Sequence, residues 1–293
     1  MIKSVEVIRA FDADNHLGET PVWSVADQAL WWVNCEQPAE IHRWSPETGA
    51  HDIWPMPRRT GGFVFKASGG LLVALSDGLY DFDPGSGTLS LRVASPLPAQ
   101  VGLHECQCAR QGRLWTGGFD HHYPADRSAS DAGYFRLDGD RLVSAVEGVA
   151  VANGLAISPD GRTLYAHPSP KREVDAFDLD PATGRLSNRR TFLTLEPGFG
   201  FVDGATVDTD GGYWLAVVGA GVLRRYTPDG ALDLEIPLPF SNPTKPAFGG
   251  PDMRTLYITS TRLRIGEEGI QANGGIFALR PGYTGVPDTH FAG

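Results

Sequence analysis

Four polar residues, Glu19, His104, Asn153 and Asp203, each stand ten or eleven positions ahead of an apolar run of one recurring kind, anchored at Leu30, Leu114, Leu164 and Tyr213. If that register is structural, the four side chains converge although the chain separates them widely. Two carboxylates and an amide oxygen facing one another repel, or stay partly protonated, unless a cation neutralises them. All-oxygen ligation by Glu19, Asn153 and Asp203 suits a hard or borderline divalent ion, so Ca²⁺, Mg²⁺ or Mn²⁺ is favoured, with Zn²⁺ or Fe²⁺ open. Three protein ligands leave positions for water and substrate, as a catalytic centre requires. Taken singly, Asn153-Gly154 and Asp203-Gly204 also read as turn pairs; matched depth in a repeat is what favours a site.

The elements that must position these residues repeat. The phrases Ala29–Val33, Gly70–Ala74, Arg113–Gly117, Thr163–Ala166, Gly212–Ala216 and Thr255–Ile258 recur at steps of 41, 43, 50, 49 and 43 residues, measured between Leu30, Leu71, Leu114, Leu164, Tyr213 and Leu256. Repeats of that length are supersecondary units. The first unit reads as four strands: Glu19–Ser24, Leu30–Asn34, Glu40–Ser45 and His51–Met56. Turn residues such as Pro46-Glu47-Thr48-Gly49 and Asp180-Pro181-Ala182-Thr183-Gly184 lie between strands. No amphipathic helix intervenes, which predicts an all-β fold. Six such units predict a six-bladed β-propeller with four antiparallel strands per blade. The last unit supplies only three strands, near Pro246–Phe248, Leu256–Ser260 and Gly275–Leu279. The N-terminal segment Ser4–Phe11 is therefore expected to close the last blade as its outer strand.

Composition bounds the partners. The chain has 293 residues, 41% hydrophobic, with 36 Gly and 22 Pro, and no linker or low-complexity segment divides it, so residues 1–293 read as one domain. Twenty-five basic residues against 35 acidic ones, a net charge of −10, argue against a nucleic-acid partner. No apolar span is long enough to cross a bilayer, and Met1 leads directly into a strand containing Glu6 and Arg9, unlike a signal peptide. Three cysteines, Cys35, Cys106 and Cys108, cannot build a disulfide framework, so a cytoplasmic location is expected.

Three separated motifs carry a resemblance. Leu17-Gly18-Glu19-Thr20-Pro21-Val22-Trp23, the run Asn153–Tyr165 and the run Val202–Trp214 are similar to the regucalcin and gluconolactonase family of sugar lactonases; Phe248-Gly249-Gly250-Pro251-Asp252 and Thr255–Ser260 extend the likeness over nearly the whole chain. The resemblance implies a propeller hydrolase acting on carboxylic esters, which opens a small-molecule sugar (aldono) lactone with one divalent cation. By motif, Glu19, Asn153 and Asp203 match the metal ligands, and Asp203 also matches the general base. Where the family usually has Arg-x-Asn-Asp, this chain has Gly102-Leu103-His104-Glu105, and where the family tends to have Gly it has Thr20. His104 then contacts a substrate oxygen, adds a nitrogen ligand or caps its strand; Glu105 takes the neighbouring substrate position. Asp120 and His122, on a polar loop that the family uses as a lid, are expected substrate contacts.

Other signals read as packing. His104, Cys106 and Cys108 share one strand face by their spacing, a pattern compatible with zinc but more simply explained by buried cysteines. Trp31, Trp32, Trp115 and Trp214 sit in second strands and are expected to pack blades rather than stack sugars. Two other functions use the same scaffold: a calcium-dependent phosphotriesterase or arylesterase, and a propeller that binds without catalysis.

Overall fold

Apolar runs broken by Gly-, Asp- and Pro-containing turns produce strands throughout a computed structural model that describes residues 5–123, 125, 126, 128–263 and 274–293; no helix occurs among these residues. The first strand, β1 (Ile8–Phe11), is followed by an antiparallel sheet of β2 (Gly18–Ser24), β3 (Ala29–Asn34), β4 (Glu40–Trp44) and β5 (His51–Pro55). A second sheet holds β6 (Thr60–Phe65), β7 (Leu71–Leu75), β8 (Gly78–Asp83) and β9 (Thr88–Ala94). Two further runs of four follow: β10 (Val101–Cys108), β11 (Leu114–Asp120), β12 (Ala132–Asp138) and β13 (Arg141–Val149), then β14 (Val151–Ile157), β15 (Thr163–Ser169), β16 (Glu173–Leu179) and β17 (Leu186–Thr194). They merge into one eight-stranded sheet through the pairing of Phe119 with Val151. The next sheet comprises β18 (Phe201–Val207), β19 (Tyr213–Val218), β20 (Val222–Tyr226) and β21 (Leu232–Pro237). In the last, β22 (Pro243–Gly249), β23 (Thr255–Ser260) and β24 (Ile276–Leu279) pair in order, and β1 completes the sheet at the edge of β24.

Closure by the N-terminal strand is therefore present, shortened to Ile8–Phe11; Ser4 lies outside the described residues. The leading strands contact one another in succession, β2 with β6, β6 with β10, β10 with β14, β14 with β18 and β18 with β22, and β22 returns to β2. Bonds across the seam are specific: Thr244 Oγ1 donates to Gly18 O at 2.5 Å and Thr261 Oγ1 to His16 O at 2.7 Å. The tail adds a second tie, since Gly285 bridges to Asp208 and Phe291 to Lys66.

Apolar side chains from facing sheets form the core. Trp32, Trp115 and Trp214 are fully buried in second strands, as the packing reading requires. Each indole removes roughly 200 Å² from water, on the order of 5 kcal/mol of transfer free energy. Trp31 lies parallel to Trp54 with ring centroids 5.1 Å apart and meets Phe63 and Phe65 of the next sheet, so aromatic contacts join the first two units. All three cysteines are buried and free.

Two buried imidazoles make this packing sensitive to acid. His42 stacks on Trp32 at 4.9 Å, its Nδ1 3.0 Å from His51 Nε2, and burial pushes it down to about 3. His167, facing the Glu173 carbonyl, is pushed down to about 4, again by burial. Unfolded, both groups bind a proton below about pH 6.5, whereas the folded chain leaves them neutral. Their folded pKa values are depressed, so stability falls as pH drops from about 6.5 towards 4. Between pH 7.5 and 5 each costs about 2 kcal/mol. We expect the loss in urea-unfolding free energy over that interval to be smaller by about this amount in His42→Phe than in the wild type; an unchanged difference would show that His42 titrates normally.

Candidate active site at the ring of leading strands

All six leading strands carry an irregularity at the level of the polar residues. Register shifts fall between Glu19 and Val22, Thr60 and Gly62, Leu103 and Cys106, Asn153 and Ala156, Val202 and Ala205, and Pro243 and Pro246. A bulge re-aims the side chains that follow it. Its presence in every unit explains how polar groups on otherwise apolar strands turn inward together. Alternation alone does not predict their direction. It also corrects the shared-face reading of β10: His104 reaches Asn153, while Cys106 and Cys108 pack with Val64 and Leu72.

Thr20 shows what the bulge demands. Its φ of 46° lies in the left-handed region, where a β-branched residue is strained, and this is why glycine suits the position. Thr20 Oγ1 donates to Gly61 O at 3.3 Å, and the Thr20 N–H donates to Glu19 Oε2 at 3.1 Å, so the strained residue holds both the adjacent carboxylate and the neighbouring sheet. The Asn153 bulge is held from outside. Tyr134 Oη donates to Asn153 O at 2.5 Å and Tyr213 Oη to Gly154 O at 2.8 Å, giving partners to carbonyls that the irregular ladder leaves free.

Glu19, His104, Asn153 and Asp203 do come together. The carboxyl groups of Glu19 and Asp203 face each other within hydrogen-bonding reach. Burial, followed by the field of Glu105, pushes Glu19 up to about 7 against the opposing charge of Lys245. Burial, Glu19 and Glu105 push Asp203 well above the usual carboxylate range. Asn153 Nδ2 donates to Val202 O at 3.4 Å, leaving Oδ1 3.2 Å from His104 Nε2. The imidazole therefore carries its proton on Nε2 and keeps Nδ1 as an acceptor. Burial, reinforced by Arg59, pushes His104 down to about 3, and its Nδ1 has no partner among the described residues.

The remaining predicted contacts lie differently. Glu105 is buried, and both its oxygens are used inside the fold: Oε1 accepts from Leu155 N at 2.8 Å and Oε2 from Lys245 Nζ at 3.0 Å. Asp120 is likewise buried, accepting from His122 N at 3.0 Å and Asp131 N at 3.3 Å. These bonds tie Glu105 into the fold and shape the start of the loop at Asp120. His122 is exposed on that loop, 3.8 Å from Asp120; Pro124 and Arg127 lie outside the described residues.

Two charged residues escaped the sequence reading. Lys245 is buried in β22 at the level of Glu19 and spans to Glu105, its stem lying where a side chain on Gly204 would sit. The signal was a lysine inside an apolar leading strand, one position beyond Thr244. Arg59, just ahead of β6, lies over the ring of Phe119 with its guanidinium carbon 4.8 Å from the centroid.

The donor set fits a divalent cation by its chemistry. A buried carboxyl in contact with a half-buried one holds a proton or is neutralised by a cation, and Asn153 Oδ1 has a second lone pair to offer. No cluster of three or more His, Cys, Asp or Glu side chains poised for a metal occurs among the described residues. No helix among them is long and apolar enough to cross a membrane.

Comparison with known proteins follows the same lines. Residues 17–262 match the family described as the SMP-30/Gluconolactonase/LRE-like region. The chain is 35% identical to 6-deoxy-6-sulfogluconolactonase of Pseudomonas putida, covering 94% of this chain and 95% of that one. It is 32% identical to L-arabinolactonase of Azospirillum brasilense, with 96% and 94% covered. A calcium-binding protein, regucalcin, from Agrobacterium tumefaciens superposes with a TM-score of 0.91 at 24% identity, covering 99% of this chain and 98% of that one, a likeness of fold.

Proposed function

The chain belongs to the SMP-30/gluconolactonase/LRE-like family, and on that premise we propose that it is a metal-dependent lactonase, a hydrolase of carboxylic esters that opens a sugar lactone to the open-chain sugar acid. The six groups of four strands are read as the blades of a six-bladed β-propeller formed by one domain, with the site at one mouth of its channel. One observation carries the chemical reading: the buried Glu19 carboxyl meets the half-buried Asp203 carboxyl beside the Asn153 amide. The named lactonases among its relatives support the substrate class.

Glu19, Asn153 and Asp203 would hold one divalent ion. When bound, it supplies the positive charge that polarises the lactone carbonyl and lowers the pKa of water. Asp203, half-buried, takes the proton of the attacking water as the new carbon–oxygen bond forms. It returns that proton to the ring oxygen as the acyl carbon–oxygen bond breaks, so one water is consumed and one hydroxy acid leaves. Neutral His104 orients the Asn153 amide through Nε2 and offers Nδ1 to a substrate hydroxyl. His122 remains a loop residue available to substrate, whereas Glu105 and Asp120 hold the framework.

Chelation tests the reading directly. Hydrolysis of pentono- and hexonolactones, followed as acid release, is expected to stop with chelator and return when one divalent ion is restored. That ion at about a hundred times its Kd should stabilise the chain by about 2.7 kcal/mol, and Glu19→Gln should remove the stabilisation. Full activity in chelator would refute metal dependence.

A further inference from the structure

We propose that Arg59 is a specificity-determining residue which, together with His104 Nδ1, reads a hydroxyl group of a neutral sugar lactone; the inference rests on the lactonase reading above. Gly102 gives β10 no side chain, and Arg59, just ahead of β6 in the preceding sheet, lays its guanidinium over Phe119 of β11. Its side chain is 10% exposed. Its Nη1 is buried without a hydrogen-bond partner among the described residues.

The surroundings place that donor beside the site. The guanidinium lies over Phe119, whose ring centroid is 6.0 Å from that of His104. Its charge is felt by Glu19, His104 and His121. A buried guanidinium N–H left unmade is costly, and so is a buried imidazole lone pair. One donor and one acceptor, both orphaned and both set against Phe119, match a hydroxyl, which accepts from the first and donates to the second.

Charge favours a neutral substrate. Lys245 offsets Glu105, and Glu36 lies 3.7 Å from Arg59 Nε. Glu19 and Asp203 are assigned to the divalent ion. Of the two cations named at this site, Lys245 and Arg59 each already face a carboxylate, so neither stands free to compensate a carboxylate, phosphate or sulfonate on the sugar.

The test measures binding and turnover separately. The non-hydrolysable neutral polyol 1,5-anhydroglucitol is titrated by calorimetry into the metal-loaded wild type, Arg59→Lys and Arg59→Met, and KM and kcat are measured for neutral aldonolactones. Arg59→Met is expected to weaken polyol binding and raise KM by roughly tenfold or more, with kcat changed less than threefold and Arg59→Lys intermediate. Equal binding and KM in wild type and Arg59→Met, or an effect confined to thermal stability, would overturn the inference while leaving lactone hydrolysis standing. Arg59-dependent polyol binding by a chain that hydrolyses no lactone would uphold it and refute the proposed reaction. A tenfold preference for a sulfonated or carboxylated lactone, lost in Arg59→Met, would overturn the neutral substrate.

Discussion

Replacing Asp203 by asparagine should lower kcat for a sugar lactone by about a thousandfold or more without weakening the fold. The activity loss follows from removing both the proton acceptor and one charged ligand, each of which is commonly worth about two orders of magnitude or more. The stability result follows from the electrostatics. The Asp203 carboxyl is packed against Glu19 and near Glu105 and is pushed well above the usual range, so ionising it in the metal-free chain is unfavourable. A raised folded pKa in a carboxylate subtracts stability as pH climbs above the unfolded value near 4. At pH 7.5 without metal, the neutral amide of the Asp203→Asn variant carries no such penalty, and the thermal midpoint should stay level or rise. Near-normal turnover by a folded Asp203→Asn chain would refute its role. A large fall in midpoint would make the residue structural instead.

Lys245→Met carries the largest expected loss of stability. Burial opposes the charge on Lys245, but Glu105 and Glu19 outweigh it and hold the ammonium above its ordinary pKa. Removing it leaves the Glu105 carboxylate, already raised by burial, without its countercharge. Breaking one partner of a buried pair costs about 3–5 kcal/mol, whereas removing both often costs little. Lys245→Met alone should fall in that range by urea unfolding. Combining it with Glu105→Gln should recover more than half, because the amide oxygen can still accept from Leu155 N. Strictly additive single effects in the double-mutant cycle would show that the two charges are independent. The pair also spans the site, since Glu105 holds the backbone two residues past Asn153 and the Lys245 stem lies against Gly204, next to Asp203. The variant is therefore expected to lose activity as well.

Much of the architecture is legible because it is local. Turn residues such as Asp180-Pro181-Ala182-Thr183-Gly184 punctuate the chain wherever they occur, and apolar runs of five or six residues need no distant information to become strands. The strands of the first unit fall within one residue of their expected bounds. Counting back from each apolar anchor found Glu19, His104, Asn153 and Asp203 for the same reason: equivalent positions in a repeat reach equivalent places in space. Motif and loop position do not disclose the partners of Glu105 and Asp120, whose oxygens accept from Leu155 and Lys245 and from the loop's own backbone.

The sequence by itself thus determined the all-β character, the repeat length, the N-terminal closing strand and the identity of the inward polar residues, since each depends on composition or spacing within one unit. Tertiary structure alone decided which way those residues point. Every leading strand is bulged at their level, and a bulge is defined by its hydrogen bonds to a neighbouring strand. It likewise decided that Thr20 takes a left-handed φ, that Lys245 meets a carboxylate 140 positions away and that Arg59 lies over Phe119 with one buried donor left unpartnered among the described residues. Such pairings depend on how sheets from distant segments face one another across the ring, and nothing local to any one unit encodes that distance.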